Sequence, residues 1–111
     1  MFINVPAISS LEWHPFSLAS APCDPCSSLF VKSMGPSTFT QRLLHLAKQT
    51  KGGRLQCGVD GPHGEPVEYW RYRRILFVGG GIGITPLHST FRELLHRARR
   101  LPRQQRGFTT H

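Results

Sequence analysis

The sequence has no long hydrophobic run. Its most apolar stretch, Ile75 to Leu87, covers thirteen residues and is interrupted by four glycines and a proline, whereas a membrane-spanning helix needs roughly 20 apolar residues. The opening, Met1-Phe-Ile-Asn-Val-Pro6, carries neither a basic start nor a long apolar core, so it does not read as a secretory signal. Cysteine is scarce and odd in number, with Cys23, Cys26 and Cys57 only, which excludes the disulfide framework of a small secreted domain and points to a reducing compartment. Cys23-Asp-Pro-Cys26 has the spacing of a redox or zinc half-site. No second such pair or paired-histidine motif follows, and tetrahedral zinc needs four ligands, so the expectation is loop decoration and no metal. Acidic residues are also few, six against fourteen Lys and Arg. The shortage is local. Residues 1–70 hold five bases and five acids, while residues 71–111 hold nine arginines against Glu93 alone, so the net +8 belongs to the last part of the chain. A basic segment of this kind can meet nucleic acid, anionic lipid or nucleotide phosphates, or be a solvated helix face and tail.

What is present suits one small folded domain and is marginal for two: 111 residues, 39% of them hydrophobic. Eleven glycines and nine prolines force many turns and argue against a helical bundle. Short β-prone segments are expected at Phe2 to Pro6, Phe16 to Ser20, Leu29 to Met34 and Arg54 to Val59. Between them, Leu43, Leu44, Leu46 and Ala47 form an apolar stripe near helical spacing, with Thr40 as N-cap and Lys51-Gly-Gly53 as stop. Arg74-Ile-Leu-Phe-Val78 reads as a parallel strand buried on both faces. It leads into Gly79-Gly-Gly-Ile-Gly-Ile-Thr-Pro86 and then a helix with Leu87, Phe91, Leu94, Leu95, Ala98 and Leu101 on one face, Thr85 as its cap, Pro86 in its first turn and Pro102 as its stop. Arg103 to His111 reads as a frayed tail.

Two stretches carry chemistry. The first is the glycine loop, where a strand delivers backbone to a helix start whose free N–H groups and dipole favour an anion. The spacing is not GxGxxG: the third position is Ile84 counted from Gly79, and Pro86 counted from Gly81. No lysine follows, which excludes a standard ATP phosphate loop. A purely structural turn remains the alternative. The second is Glu12-Trp-His-Pro-Phe-Ser-Leu-Ala-Ser-Ala-Pro22, which could lay Phe16 against a flat heterocycle while Ser17 and Ser20 hydrogen-bond its polar edges. His14 could equally be a hydrogen-bonded core residue.

The succession EWHPFSLASAP, VKSMG with TFTQRL, VDGPHGEP and ILFVGGGIGITPLHS resembles the cytosolic flavoprotein part of the NADPH oxidase and ferric reductase family, within the ferredoxin–NADP reductase-like group. The four motifs run in family order over residues 2–99. The resemblance implies a partial antiparallel β-barrel of the FAD-binding type (residues 1–66), then the first βα unit of an α/β nucleotide-binding domain (67–101) and a basic tail (102–111). It assigns FAD contact to His14, Pro15, Phe16 and Ser17, with Ser20 nearby. Lys32, Gly35, Thr38 and Thr40 match the segment where a helix N-terminus holds the FAD pyrophosphate. Phe39 stands where tryptophan is usual, and Pro36-Ser37 resembles a small insertion. Asp60 and Gly61 match the junction between flavin and nicotinamide domains, and Gly79, Gly81, Gly83, Thr85 and Pro86 match the NADPH loop.

The family function implied is hydride transfer from NADPH to FAD and single-electron delivery to a haem-bearing membrane domain, at the cytosolic face of a membrane. Nicotinamide and flavin must then meet at about 3–3.5 Å, and no side chain of this chain need act as acid or base. The family's upstream barrel strands and haem domain, and its downstream 2′-phosphate and Cys-Gly-Pro motifs, have no counterpart in the sequence, so it reads as a middle piece. Two other readings stand beside it. A soluble ferredoxin- or cytochrome-type reductase usually carries Arg-x-Tyr-Ser in place of His14-Pro-Phe-Ser17. A truncated basic binding module would use Arg97, Arg99, Arg100, Arg103 and Arg106, but these lack interleaved aromatics and any nucleic-acid motif, so no nucleic-acid partner is expected.

Overall fold

In a computed structural model, residues 1–50, 52, 54–65 and 67–100 are described. They form two compact units: Met1–Ser17 with Phe30–Gly64, and Leu18–Leu29 with the chain from Glu65 onward.

The first unit is built on a three-stranded antiparallel sheet. Strands β1 (Phe2–Asn4), β2 (His14–Pro15) and β3 (Gly58–Asp60) lie in the order β2-β1-β3. Phe2 faces Pro15 and Asp60, and Ile3 faces His14 and Val59. One more reciprocal pair extends the β1–β2 ladder: the Met1 amino group donates to the Phe16 carbonyl at 2.9 Å, and the Phe16 N–H returns to Met1 at 2.8 Å. Buried Asn4 closes the β1–β2 connection. Its side-chain amide donates to the carbonyls of Ser9 and Glu12 at 2.9 and 2.8 Å, which uses both of its N–H bonds. A side chain at Gly58 would come within 2.8 Å of the Trp13 ring, so glycine lets the indole lie across β3.

Helix α1 (Phe39–Thr50) follows the expected stripe. Its cap is Thr38 rather than Thr40. Thr38 Oγ1 accepts the Gln41 N–H at 3.2 Å and donates to the Gly35 carbonyl at 2.7 Å. Gly35 and Ser37 hold positive φ of 107° and 62°, so the loop curls back over the helix start and brings Thr38 into the capping position. Gly52, at φ 78°, follows the last turn, where glycine is favoured.

In the second unit an isolated antiparallel bridge joins Leu18 to Leu29. Helix α2 (Ile84–Arg100) packs on that hairpin. His88 Nδ1–H donates to the Ala19 carbonyl at 2.7 Å, the Ser89 hydroxyl donates to Ser20 at 2.6 Å, and Arg92 Nε donates to Asp24 at 3.0 Å. The helix is entered through one 3-10 turn, Gly81–Gly83. Thr85 is therefore not the cap: it is buried, and its hydroxyl donates back to the Ile82 carbonyl at 2.8 Å.

The expected strand over residues 74–78 is not present. Leu76 and Val78 are 87% and 79% exposed, whereas Ile75 and Phe77 are half-buried and Phe77 meets Phe91 edge-on at 6.0 Å. A strand exists only with a ladder partner, and among the described residues none pairs with this segment. The β-segments read at 16–20, 29–34 and 54–59 are shorter or displaced for the same reason. Pro102 and the tail 103–111 lie outside the described residues.

The Asp24–Arg92 pair has a pH signature. The hydrogen bond from Arg92 and a second from the Ala21 N–H hold the Asp24 carboxyl below its usual value of 3.8. A carboxylate with a lowered folded-state pKa contributes stability that is present in full above its unfolded pKa and is lost as pH falls through the folded value. Acid titration of the protein should therefore show a loss of stability below about pH 4 that Asp24→Asn reduces, as followed by urea midpoints across pH 2–6.

Candidate functional site

In the first unit, the residues assigned to flavin contact gather where β2 passes the start of α1. The His14 ring stacks on Phe39 with centroids 4.0 Å apart and planes 21° from parallel, and Phe16 tilts against the same ring at 6.3 Å. Phe39 is only 4% exposed. It is the core residue of this corner, a role its place in a phosphate-contact segment did not suggest. Glu12 and Arg42, also not singled out from sequence, tie the strand to the helix. Arg42 Nη2 donates to Glu12 Oε2 at 3.1 Å, and the same oxygen lies 3.4 Å from His14 Nε2. These pairs are half-exposed and contribute orientation more than stability.

Thr40 Oγ1 accepts the Met34 N–H at 2.9 Å and meets Thr38 Oγ1 at 3.1 Å. The Ser33 hydroxyl bonds Gln41 one turn into the helix. The loop from Ser33 to Thr38 is thus organised around the first turn of α1. Thr38 satisfies the Gln41 amide, while the Phe39 and Thr40 amides, at the first two helical positions, have no carbonyl one turn back to bond. They are oriented donors at the positive end of a helix dipole, suited to a phosphate oxygen. Pro15, Ser17 and Lys32 are exposed.

Ser20 belongs to the second unit and is buried there. Its hydroxyl accepts the Ser28 N–H at 2.9 Å and its carbonyl accepts the Ser89 hydroxyl. Asp60 closes β3 in the first unit and pairs with His63 at 3.2 Å, followed by Gly61 at φ 116°. The glycine loop is in the second unit. A side chain at Gly79 would meet Leu87 Cδ1 at 2.8 Å, so this glycine serves packing on α2. Gly81 has φ 52°, the left-handed region. At Gly83 a side chain would meet nothing within 4 Å. Pro86 sits exposed in the first turn of α2, where its missing N–H removes no helical bond. Among the described residues no cluster of three or more His, Cys, Asp or Glu could hold a metal, and no helix is long and apolar enough to cross a membrane.

A strand bearing exposed polar groups and aromatic rings, set beside a capped helix start with free amides, is the equipment of a nucleotide-cofactor-binding domain. Residues 1–67 match the model of the FAD-binding domain family, and the chain belongs to that family. It is 34% identical over 110 residues to a superoxide-generating NADPH oxidase heavy chain of Dictyostelium discoideum, covering 85% of this chain and 16% of that protein. It is 36% identical to NADPH oxidase 1 of Rattus norvegicus (90% of this chain, 18% of that protein) and 37% identical to probable ferric reduction oxidase 1 of Arabidopsis thaliana (86% and 14%). The chain thus spans less than a fifth of the length of these relatives.

Proposed function

We propose that the chain is the flavin-holding segment of an oxidoreductase that passes electrons from NADPH through FAD to a haem-bearing membrane domain, from the cytosolic side, ending in superoxide production or ferric reduction. The observation that carries this reading is the junction of β2 with the Thr38-capped start of α1 in a chain of the FAD-binding family. The residues fit the cofactor. The Phe39 and Thr40 amides would receive the pyrophosphate, with Gly35 letting the loop curl around it and Lys32 adding charge. His14, Pro15, Phe16 and Ser17 would present the flavin-facing edge of β2. Bound FAD supplies hydride acceptance and single-electron release. The protein's part is to hold it at a fixed angle, with the Glu12–Arg42 pair keeping the His14 ring in place. The loop through Gly79, Gly81, Gly83, Thr85 and Pro86 would take the NADPH pyrophosphate, and Asp60 and Gly61 are assigned to NADPH by their family motif alone.

Ser17 supplies the test, because its side chain is exposed and carries no part of the core. In the longer oxidoreductase, Ser17→Ala should weaken FAD retention by about fivefold, the worth of one net hydrogen bond of about 1 kcal/mol. NADPH-dependent dye reduction should fall with it and return on adding excess FAD. A turnover loss that excess FAD does not restore would contradict the assignment.

A further inference from the structure

The loop between Ala19 and Ser28 carries two of the three thiols, Cys23 and Cys26, both free and exposed. We propose that Cys23 and Cys26 form a peroxide-sensitive dithiol that closes to a disulfide across the tip of this loop. The proposal is independent of the flavin reading.

The loop's ends are fixed. Leu18 and Leu29 are bridged, the Ala19 N–H donates to the Ser28 carbonyl at 2.8 Å, and the Ser28 N–H donates to Ser20 Oγ at 2.9 Å. Within it the chain turns at Pro22 and Cys23 and bends at Asp24, Pro25 and Cys26. The hydrogen-bonded turn is Ala21–Asp24, closed by the Asp24 N–H on the Ala21 carbonyl at 3.0 Å. The bends at Asp24 and Pro25 then curve the chain between two cysteines only three positions apart, the kind of local curvature a disulfide with its short Cα separation of about 4.4–6.8 Å requires. Asp24, between the two cysteines, accepts the Ala21 N–H at 2.8 Å and hydrogen bonds from Nε and Nη2 of the Arg92 guanidinium, which ties the tip to α2. Cys23 also lines a cavity of about 640 Å³ with Trp70, His96, Arg97 and Arg100. A small oxidant has room there, beside the Arg97–Glu93 ion pair that lines the same cavity.

The chemistry balances with hydrogen peroxide as oxidant. The Cys23 sulfur attacks one peroxide oxygen, forming S–O and breaking O–O, and hydroxide leaves and takes up a proton. The Cys26 sulfur then displaces the oxygen from Cys23 as water, forming S–S. Two thiols are oxidised, one peroxide is reduced, and two waters are released.

The test treats the reduced full chain with hydrogen peroxide, blocks remaining thiols with iodoacetamide, and locates them by peptide mass spectrometry. Cys57, exposed and 31 residues from Cys26, is the internal reference. The expected result is a Cys23–Cys26 peptide two hydrogens lighter and unalkylated, formed at least tenfold faster than Cys57 is lost and reversed by dithiothreitol. In Cys26→Ser, Cys23 should persist as a sulfenic acid that dimedone captures. Oxidation of all three thiols at one rate, or disulfides formed only between chains, would overturn the proposal.

Discussion

Phe39→Ala is expected to unfold the first unit rather than simply weaken its ligand binding. Phe39 is 4% exposed, and its ring is the surface on which both His14 and Phe16 rest. Removing a buried phenyl ring costs about 3–5 kcal/mol, a large part of the 5–15 kcal/mol that holds an ordinary small domain together. The unit has little in reserve, since its other buried apolar side chains among the described residues are Ile3 and Val5. Each kcal/mol moves the melting point of a domain this size by about 4–8 °C, so a loss of at least about 12 °C should appear in thermal circular dichroism. Phe39→Leu, which keeps most of the volume but loses the stack, should fall between. A melting point unchanged in Phe39→Ala would show that the His14–Phe39 stack is not the core of this corner.

Gly83→Val separates ligand loss from fold loss in the nucleotide loop. No heavy atom lies within 4 Å of where a side chain would begin at Gly83, and the residue sits at a helix entrance without positive φ. Valine should therefore leave the fold nearly intact while placing branched carbons where the proposed NADPH pyrophosphate approaches the start of α2. In a full-length protein with the proposed NADPH-to-FAD activity, the apparent NADPH affinity should drop at least tenfold, about 1.4 kcal/mol, with FAD content unchanged. Gly79→Val is the contrast: its added carbon meets Leu87 Cδ1 at 2.8 Å, so the end of that leucine must turn aside and any cost falls on α2 packing whether or not ligand is present. If Gly83→Val left NADPH affinity unchanged, the loop would be a structural turn only.

Both helices were legible because their apolar stripes are local. The leucines after Phe39 and the Leu94 face of α2 repeat within a turn or two and need no distant partner. What the sequence hid was set by pairings between distant positions. The choice of Thr38 over Thr40 as cap depends on positive φ at Gly35 and Ser37, which a threonine pair two residues apart does not reveal. The alternation from Phe16 to Ser20 suggested one strand, but Leu18 instead pairs with Leu29, and Ser20 bonds across 69 positions to Ser89. The apolar run at 74–78 has the composition of a buried strand without a ladder partner among the described residues. Composition reports burial preference, and only a neighbouring strand converts it to sheet. At the candidate site, the motif pointed to positions on β2 and at the start of α1, which the first unit brings together. Phe39, Glu12 and Arg42 were not readable, because their roles lie in a ring stack and in an ion pair spanning 30 positions.

FAD is proposed to be held where β2 meets the first turn of α1. The most direct measurement is a titration of the nitrogen-15-labelled chain with FAD, followed by amide chemical shifts. Saturable shifts are expected, led by the Phe39 and Thr40 amides and accompanied by Phe16 and Ser17, with the amides of α2 beyond Thr90 little affected. Saturable binding that leaves Phe39 and Thr40 unmoved, or no saturable binding, would contradict it.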